Sequence, residues 1–174
     1  AGVSSKGGAR LGEGDLQQVL DEGAKAAADL GLGFHEDLAA IESHGQLEGG
    51  GGLSQRAMKR GSKALGTLGS GNHFCELQVV ERIEDEEAAA AFGLREGQVC
   101  AMIHTGSRGL GHQVCSDHVS ALESEYRGRG DAWHSDRWDI TLPDRQLAAA
   151  PFHSREGQAY FQAMQAAGNY AFAN

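Results

Sequence analysis

Two stretches of this 174-residue chain set histidines among glycines: Gly66-Thr67-Leu68-Gly69-Ser70-Gly71-Asn72-His73-Phe74, and Ile103-His104-Thr105-Gly106-Ser107-Arg108-Gly109-Leu110-Gly111-His112. Glycines around a polar side chain let backbone amides come close to a ligand, so the two stretches suggest one shared site for metal and phosphate. His73 follows Asn72 at the entrance of a predicted strand, which leaves one ring nitrogen accessible while neighbours orient the other. His104 ends an apolar run and precedes Thr105, Ser107 and Arg108, whose hydroxyls and guanidinium favour phosphate oxygens. Taken singly, each histidine is more often a hydrogen-bonded loop residue than a ligand; the pair strengthens the case for both. Glu76, three residues after His73, can accept hydrogen bonds from a base or a ligand, against the plainer reading of a surface carboxylate.

Neither stretch is a common nucleotide-binding loop: the Gly-Lys-Ser/Thr ending of a P-loop and the GxGxxG of a dinucleotide fold are both missing. His112 and His118 stand six residues apart, which is not the i, i+4 spacing of a helical metal pair, and both read as structural. His35, His44, His134 and His153 belong to no pattern. Arg108 is a weaker candidate for a phosphate contact, because an arginine there can equally brace its own loop.

These side chains must be held by the elements around them. Residues 1–14 read as loop, after which Leu16, Val19, Leu20, Ala27 and Leu30 recur at helical spacing up to Gly31. A short helix is expected over Glu36 to Glu42, and the four glycines from Gly49 to Gly52 read as a flexible connector. Ser54 should cap a helix carrying Ala57, Met58 and Leu65, whose basic face of Arg56, Lys59, Arg60 and Lys63 reads as a solvated face. Alternation from Phe74 to Val80 predicts a strand with at least one buried face; the alanine-rich stretch from Asp85 to Phe92 reads as a helical turn, and the short apolar run from Val99 to Ile103 as a buried strand. Val114, Cys115, His118, Val119, Leu122 and Tyr126 then give a helix, so the order is strand, glycine loop, helix, which favours an anion at the helix amino end. Residues 127–147, with Trp133, Trp138 and Pro143, read as irregular. Ser154 should cap a last helix whose stripe of Tyr160, Phe161, Met164, Ala167 and Tyr170 reads as core. Short strands and helices without a regular βαβ repeat predict a mixed α+β fold, in one domain of 174 residues.

Composition narrows the class. With 15 Lys plus Arg against 24 Asp plus Glu, the net charge of −9 argues against a broad electrostatic grip on nucleic acid, though not against a local basic channel. Cys75, Cys100 and Cys115 are odd in number and form no CxxC pair, so neither a disulfide framework nor a zinc knuckle is expected. No apolar run is long enough to span a bilayer and no signal peptide is visible, which leads to the expectation of a soluble, cytoplasmic protein. The chain starts in a loop and stops within a running helical pattern, as a fragment of a longer protein would.

Both glycine stretches, with Glu76 and the continuation to Gln113, resemble the signature blocks of the RtcB family of RNA-splicing ligases. Gly2-Val3-Ser4-Ser5-Lys6-Gly7-Gly8, Leu142-Pro143-Asp144-Arg145 and Gly168-Asn169-Tyr170-Ala171-Phe172-Ala173-Asn174 extend the resemblance over residues 1–174, as the central part of such a ligase domain. The resemblance implies the α+β fold of that family and a ligase dependent on GTP and two manganese ions. Such a ligase joins RNA 3′-phosphate, or 2′,3′-cyclic phosphate, ends to 5′-hydroxyl ends through a guanylylated histidine and an activated RNA end. It implies His73 and His104 as manganese ligands, one for each ion, and Asn72, His73, Phe74, Cys75 and Glu76 as the guanylate-contacting segment. Archease is implied as a possible protein partner, and no membrane. The family's Asp-x-Gly-Cys segment has no match in this sequence, and its His-Asn ligand pair and guanylylated histidine are expected beyond Asn174. No catalytic residue is therefore assigned within the chain, which is expected to be inactive alone. The competing readings are a non-catalytic nucleotide- or metal-binding module and one half of a split ligase.

Overall fold

The computed structural model describes residues 8–174, so the family-like segment from Gly2 to Gly8 falls almost wholly outside the described residues. The architecture is mixed α+β. Contacts divide the chain into two compact units, one holding Leu68–Thr105 and the other the described residues up to Thr67 together with Gly106–Asn174. The boundaries between the units fall inside the two glycine stretches.

The larger unit is helical. α1 (Glu13–Glu22) and α2 (Ala24–Asp29) replace the single helix expected from the spacing, because Gly23 stands between them at φ 60°. That left-handed position suits glycine, and a Cβ on Gly23 would lie 2.1 Å from the carbonyl oxygen of Gly45. The short helix expected over Glu36 to Glu42 is a 3-10 segment, His35–Ala40. α3 (Gln55–Gly61) begins as predicted, with Ser54 Oγ accepting from the Ala57 amide at 3.2 Å.

α5 (Arg108–Glu123) and α6 (Arg155–Ala173) complete this packing, and Ser154 caps α6 by accepting from the Gly157 amide at 3.0 Å. Leu16, Val19, Leu20, Leu65, Leu110, Val114 and Tyr170 form the core. The apolar stripe predicted on α6 is corrected in part: Ala167 and Tyr170 are buried, but Phe161 and Met164 are exposed, and Ala163, Ala166 and Asn169 take the inward positions. Small residues there let α6 approach its neighbours closely. Residues 127–147 also differ from expectation, since β3 (Arg127–Arg129), β4 (Ala132–Ser135) and β5 (Ile140–Leu142) form an antiparallel meander.

The smaller unit holds β1 (Phe74–Val79), α4 (Glu86–Ala91) and β2 (Val99–His104), with β1 and β2 paired antiparallel. Asp85 caps α4 through the Ala88 amide at 2.8 Å. Both strands were expected to have buried faces, and both are mostly exposed: Leu77 is 80% accessible, Val99 65% and Ile103 63%. Alternation in β1 and the apolar run of β2 identified the strands correctly, but a two-stranded sheet has no layer of its own to cover an apolar face.

Candidate functional site

The register of the hairpin brings the two predicted histidines together. Phe74 pairs with His104, and directly opposed residues of an antiparallel pair share a face. The His104 ring accordingly stacks on Phe74 with centroids 5.5 Å apart and planes 13° apart. His73, one residue before β1, tilts against His104 at a centroid distance of 5.7 Å.

Asn72 adds the third group. Its Nδ2 lies 3.4 Å from His104 Nε2. An amide N–H donating there requires an unprotonated Nε2 and so places the ring proton on Nδ1. The turn that delivers these residues depends on glycine, since Gly71 sits at φ 78°, a conformation a side chain opposes. At the other strand, Thr105 Oγ1 donates to the Leu68 carbonyl at 2.7 Å, clamping the end of β2 to the start of the glycine loop.

Not every residue of the predicted nucleotide segment shares this face. Glu76 pairs with Met102 two positions along from Phe74 and accepts from Gln78 Nε2 at 3.0 Å, so its exposed carboxylate lies on the His104 face. Cys75 falls on the opposite face with Leu77 and Val79, where its thiol is exposed. A ligand on the histidine face would meet Cys75 only through its backbone.

The donors fit a divalent cation in type, for imidazole nitrogen is a good ligand to first-row metals. In number they fall short: no group of three or more His, Cys, Asp or Glu suited to a metal occurs among the described residues. A cation here would need donors beyond His73 and His104. It would also compete with Asn72 for His104 Nε2, because one lone pair cannot serve both.

In the helical unit the arginine of the second stretch acts as a brace. Arg108 stands at φ 55° and its Nε donates to Thr67 Oγ1 at 3.2 Å. Asn174, which spacing did not single out, holds both stretches where they enter this unit. Its Oδ1 accepts from the Gly66 amide at 2.8 Å, and its Nδ2 donates to the Gly106 carbonyl at 3.1 Å. The signal that could have found it is its place at the end of the family-like Gly168–Asn174 segment. His112 is exposed, and His118 stacks on Tyr160 at 4.9 Å. Partial burial lowers the His118 pKa below its ordinary value, partly opposed by the charge of Asp117.

Comparison with known proteins bears on the whole segment. A family model described as tRNA-splicing ligase RtcB matches residues 1–174. The tRNA-splicing ligase RtcB of Pyrococcus furiosus is 51% identical over 176 residues, covering all of this chain and 17% of that protein. The protein of the same name from Thermococcus kodakarensis is 49% identical, with 35% of its length covered. An RNA-splicing ligase RtcB from Mycobacterium bovis is 49% identical over 99% of this chain and 39% of its own length. The chain thus spans well under half of each of these relatives.

Proposed function

Because this chain belongs to the RtcB family, we propose that it is the part of an RNA ligase that supplies two manganese ligands and part of the guanylate site. The whole protein would join RNA ends bearing a 3′-phosphate or 2′,3′-cyclic phosphate to 5′-hydroxyl ends, using GTP and a guanylylated histidine outside this segment. RNA would be its substrate, and archease is a candidate activator. The observation that carries the reading is the β1–β2 register, which sets His104 against Phe74 and His73 beside both.

Within this scheme His73 and His104 offer imidazole nitrogens to manganese. Bound manganese would neutralise phosphate charge and orient the attacking and leaving oxygens. The Asn72 amide lies within reach of His104 Nε2 and can orient the ring, and Phe74 holds it in place by stacking. Glu76, on the same face, offers a carboxylate to donor groups of a guanine base. The glycine turn contributes by keeping side chains away from the ligand.

The test uses the complete ligase containing this segment. His73→Ala and His104→Ala should each weaken manganese binding, read by titration, and lower ligation of 3′-phosphate to 5′-hydroxyl RNA by at least about 100-fold. Near-normal ligation in both variants would remove them as ligands. The 174-residue chain alone, given labelled GTP and manganese, should form no stable protein–GMP adduct; an adduct would show that the nucleophile lies within it.

A further inference from the structure

The basic face of α3 is more than a row of solvated charges. Arg56, Lys59, Arg60 and Lys63 recur at i, i+3, i+4 and i+7, so one side of the helix and of the turn after it carries four cations while Ala57 and Gly61 face the core. They line a groove of about 410 Å³ together with Ala64 and Gly109. Gly109 contributes no side chain, which leaves backbone open to a ligand.

Two observations separate this groove from an ordinary charged surface. First, none of the four cations closes an ion pair among the described residues, although Lys25, Arg82 and Arg137 elsewhere each find a carboxylate. Like charges on adjacent turns repel one another, and an anion lying in the groove would relieve that repulsion. Second, Arg60 is aimed. Its Nη1 donates to Oε1 of the buried Gln113 at 3.1 Å, and Gln113 Nε2 donates to Asp117 at 2.7 Å. Asp117 also accepts from Ser54 Oγ at 2.6 Å. Those two hydrogen bonds are the main cause of its lowered pKa, with Arg56 contributing only through its field. Asp117 is thus committed to the scaffold and leaves Arg56 without a bonded counter-ion. Glu13 borders a neighbouring groove that shares Lys59, again without pairing with it.

We propose that this groove is a track for the sugar–phosphate backbone of RNA. Seven residues of helical rise span about 10 Å, enough for at least two successive phosphates of one strand to lie along the four cations. Lysines meet phosphates as point charges, and an arginine held from behind presents its remaining N–H donors outward. That the polyanion is RNA rests on the ligase reading above; that it is a polyanion rests on the groove alone.

The test is fluorescence anisotropy of a labelled single-stranded RNA with this chain, over a salt series and without GTP or manganese. Arg56→Gln/Lys59→Gln/Lys63→Gln, which spares the Arg60–Gln113 bond, should weaken binding roughly tenfold or more. It should also flatten the dependence of log K on log salt by about 2 to 3. A control of equal charge change, Lys25→Gln/Arg82→Gln/Arg95→Gln, should leave affinity within about twofold. Matching circular dichroism and melting curves would exclude misfolding. Equal losses in both triple variants, or none in either, would overturn the track, as would absence of RNA binding by the unaltered chain. Displacement of the RNA by polyglutamate as readily as by unlabelled RNA would overturn it in favour of an acidic protein partner. The anisotropy assay reads no joining, so the two readings fail separately: absent ligation by the complete ligase with the variant effect intact overturns the ligase reading alone, and an unchanged salt slope overturns the track whatever the complete ligase does.

Discussion

The helical unit and the hairpin unit spend their apolar residues in opposite ways. In the first, Leu16, Val19, Leu20, Leu110, Tyr126 and Tyr170 are buried to within a few per cent. In the second, Leu77, Val79, Val99 and Ile103 are exposed, and all fully buried apolar residues among those described belong to the helical unit. Yet the hairpin carries both candidate ligands. Its geometry is held by the strand ladder, the Phe74–His104 stack and the Thr105–Leu68 clamp rather than by a core. The lesson is that placing the histidines and stabilising the fold are tasks assigned to different parts of the chain.

The largest expected effect tests that division directly. Amide hydrogen exchange in the isolated chain should be at least about 1,000-fold slower in the inner turns of α6 than in β1 and β2, because core amides open only with the global transition while a two-stranded sheet opens locally. Equal protection in both would break the comparison. Next in size, Tyr170→Ala removes a fully buried ring and its hydroxyl bond to the Gly61 carbonyl at 2.8 Å, and should cost about 4 kcal/mol in denaturant unfolding. Leu77→Ala in the hairpin should cost under about 0.5 kcal/mol. A loss at Leu77 comparable to that at Tyr170 would mean that its side chain is packed after all.

Asn169→Ala should fall between them. The buried Asn169 amide donates to the Leu20 carbonyl at 2.8 Å and the Leu47 carbonyl at 3.1 Å, and its Oδ1 accepts from the Leu47 amide at 2.7 Å. Removing it strands three backbone groups at a cost of about 3 kcal/mol. A melting temperature unchanged from that of the unaltered chain would show that water replaces the side chain there.

The two units also differ in how far the sequence revealed them. The caps at Ser54 and Ser154, the helical turn from Asp85, the helix after the second glycine stretch and the two strands flanking the glycine loops are local signals, and each appears where expected. The proximity of His73 to His104 rested on paired motifs, and the register supplies its physical cause. The faces of β1 and β2 were misjudged, because alternation in the one and an apolar run in the other show that a face is apolar and say nothing of what covers it. The β3–β5 meander was missed because its strands are only three or four residues long. Its one local signal, the Gly130-Asp131 turn with Gly130 at φ 64°, lies within the stretch read as irregular. Asn169 and Asn174 act on backbone more than 100 residues away, a relation no local pattern contains.

The smallest effect concerns the partly buried imidazole of the helical unit. His118 lies against Tyr160, and burial holds its pKa below the ordinary value near 6.5, with Asp117 opposing the shift. The unfolded chain therefore binds more protons than the folded one in this window, and stability rises with pH across it. His118 contributes in full above about 6.5, and its contribution is lost as pH falls through its folded value. Asp117 and Glu156, both lowered by their hydrogen-bond donors, act in the same direction but only from about 4.5 downward. Denaturant midpoints measured between about pH 7 and pH 5 cover the window in which His118 acts and the two carboxylates do not. His118→Phe keeps an aromatic ring against Tyr160 and removes the proton, so its midpoint should be flatter over that range than that of the unaltered chain. Parallel pH profiles for the two would assign the slope to groups other than His118. Exchange of β1 and β2 amides, followed in the same samples, would then show whether acid loosens the helical unit while the hairpin opens by its own local equilibrium.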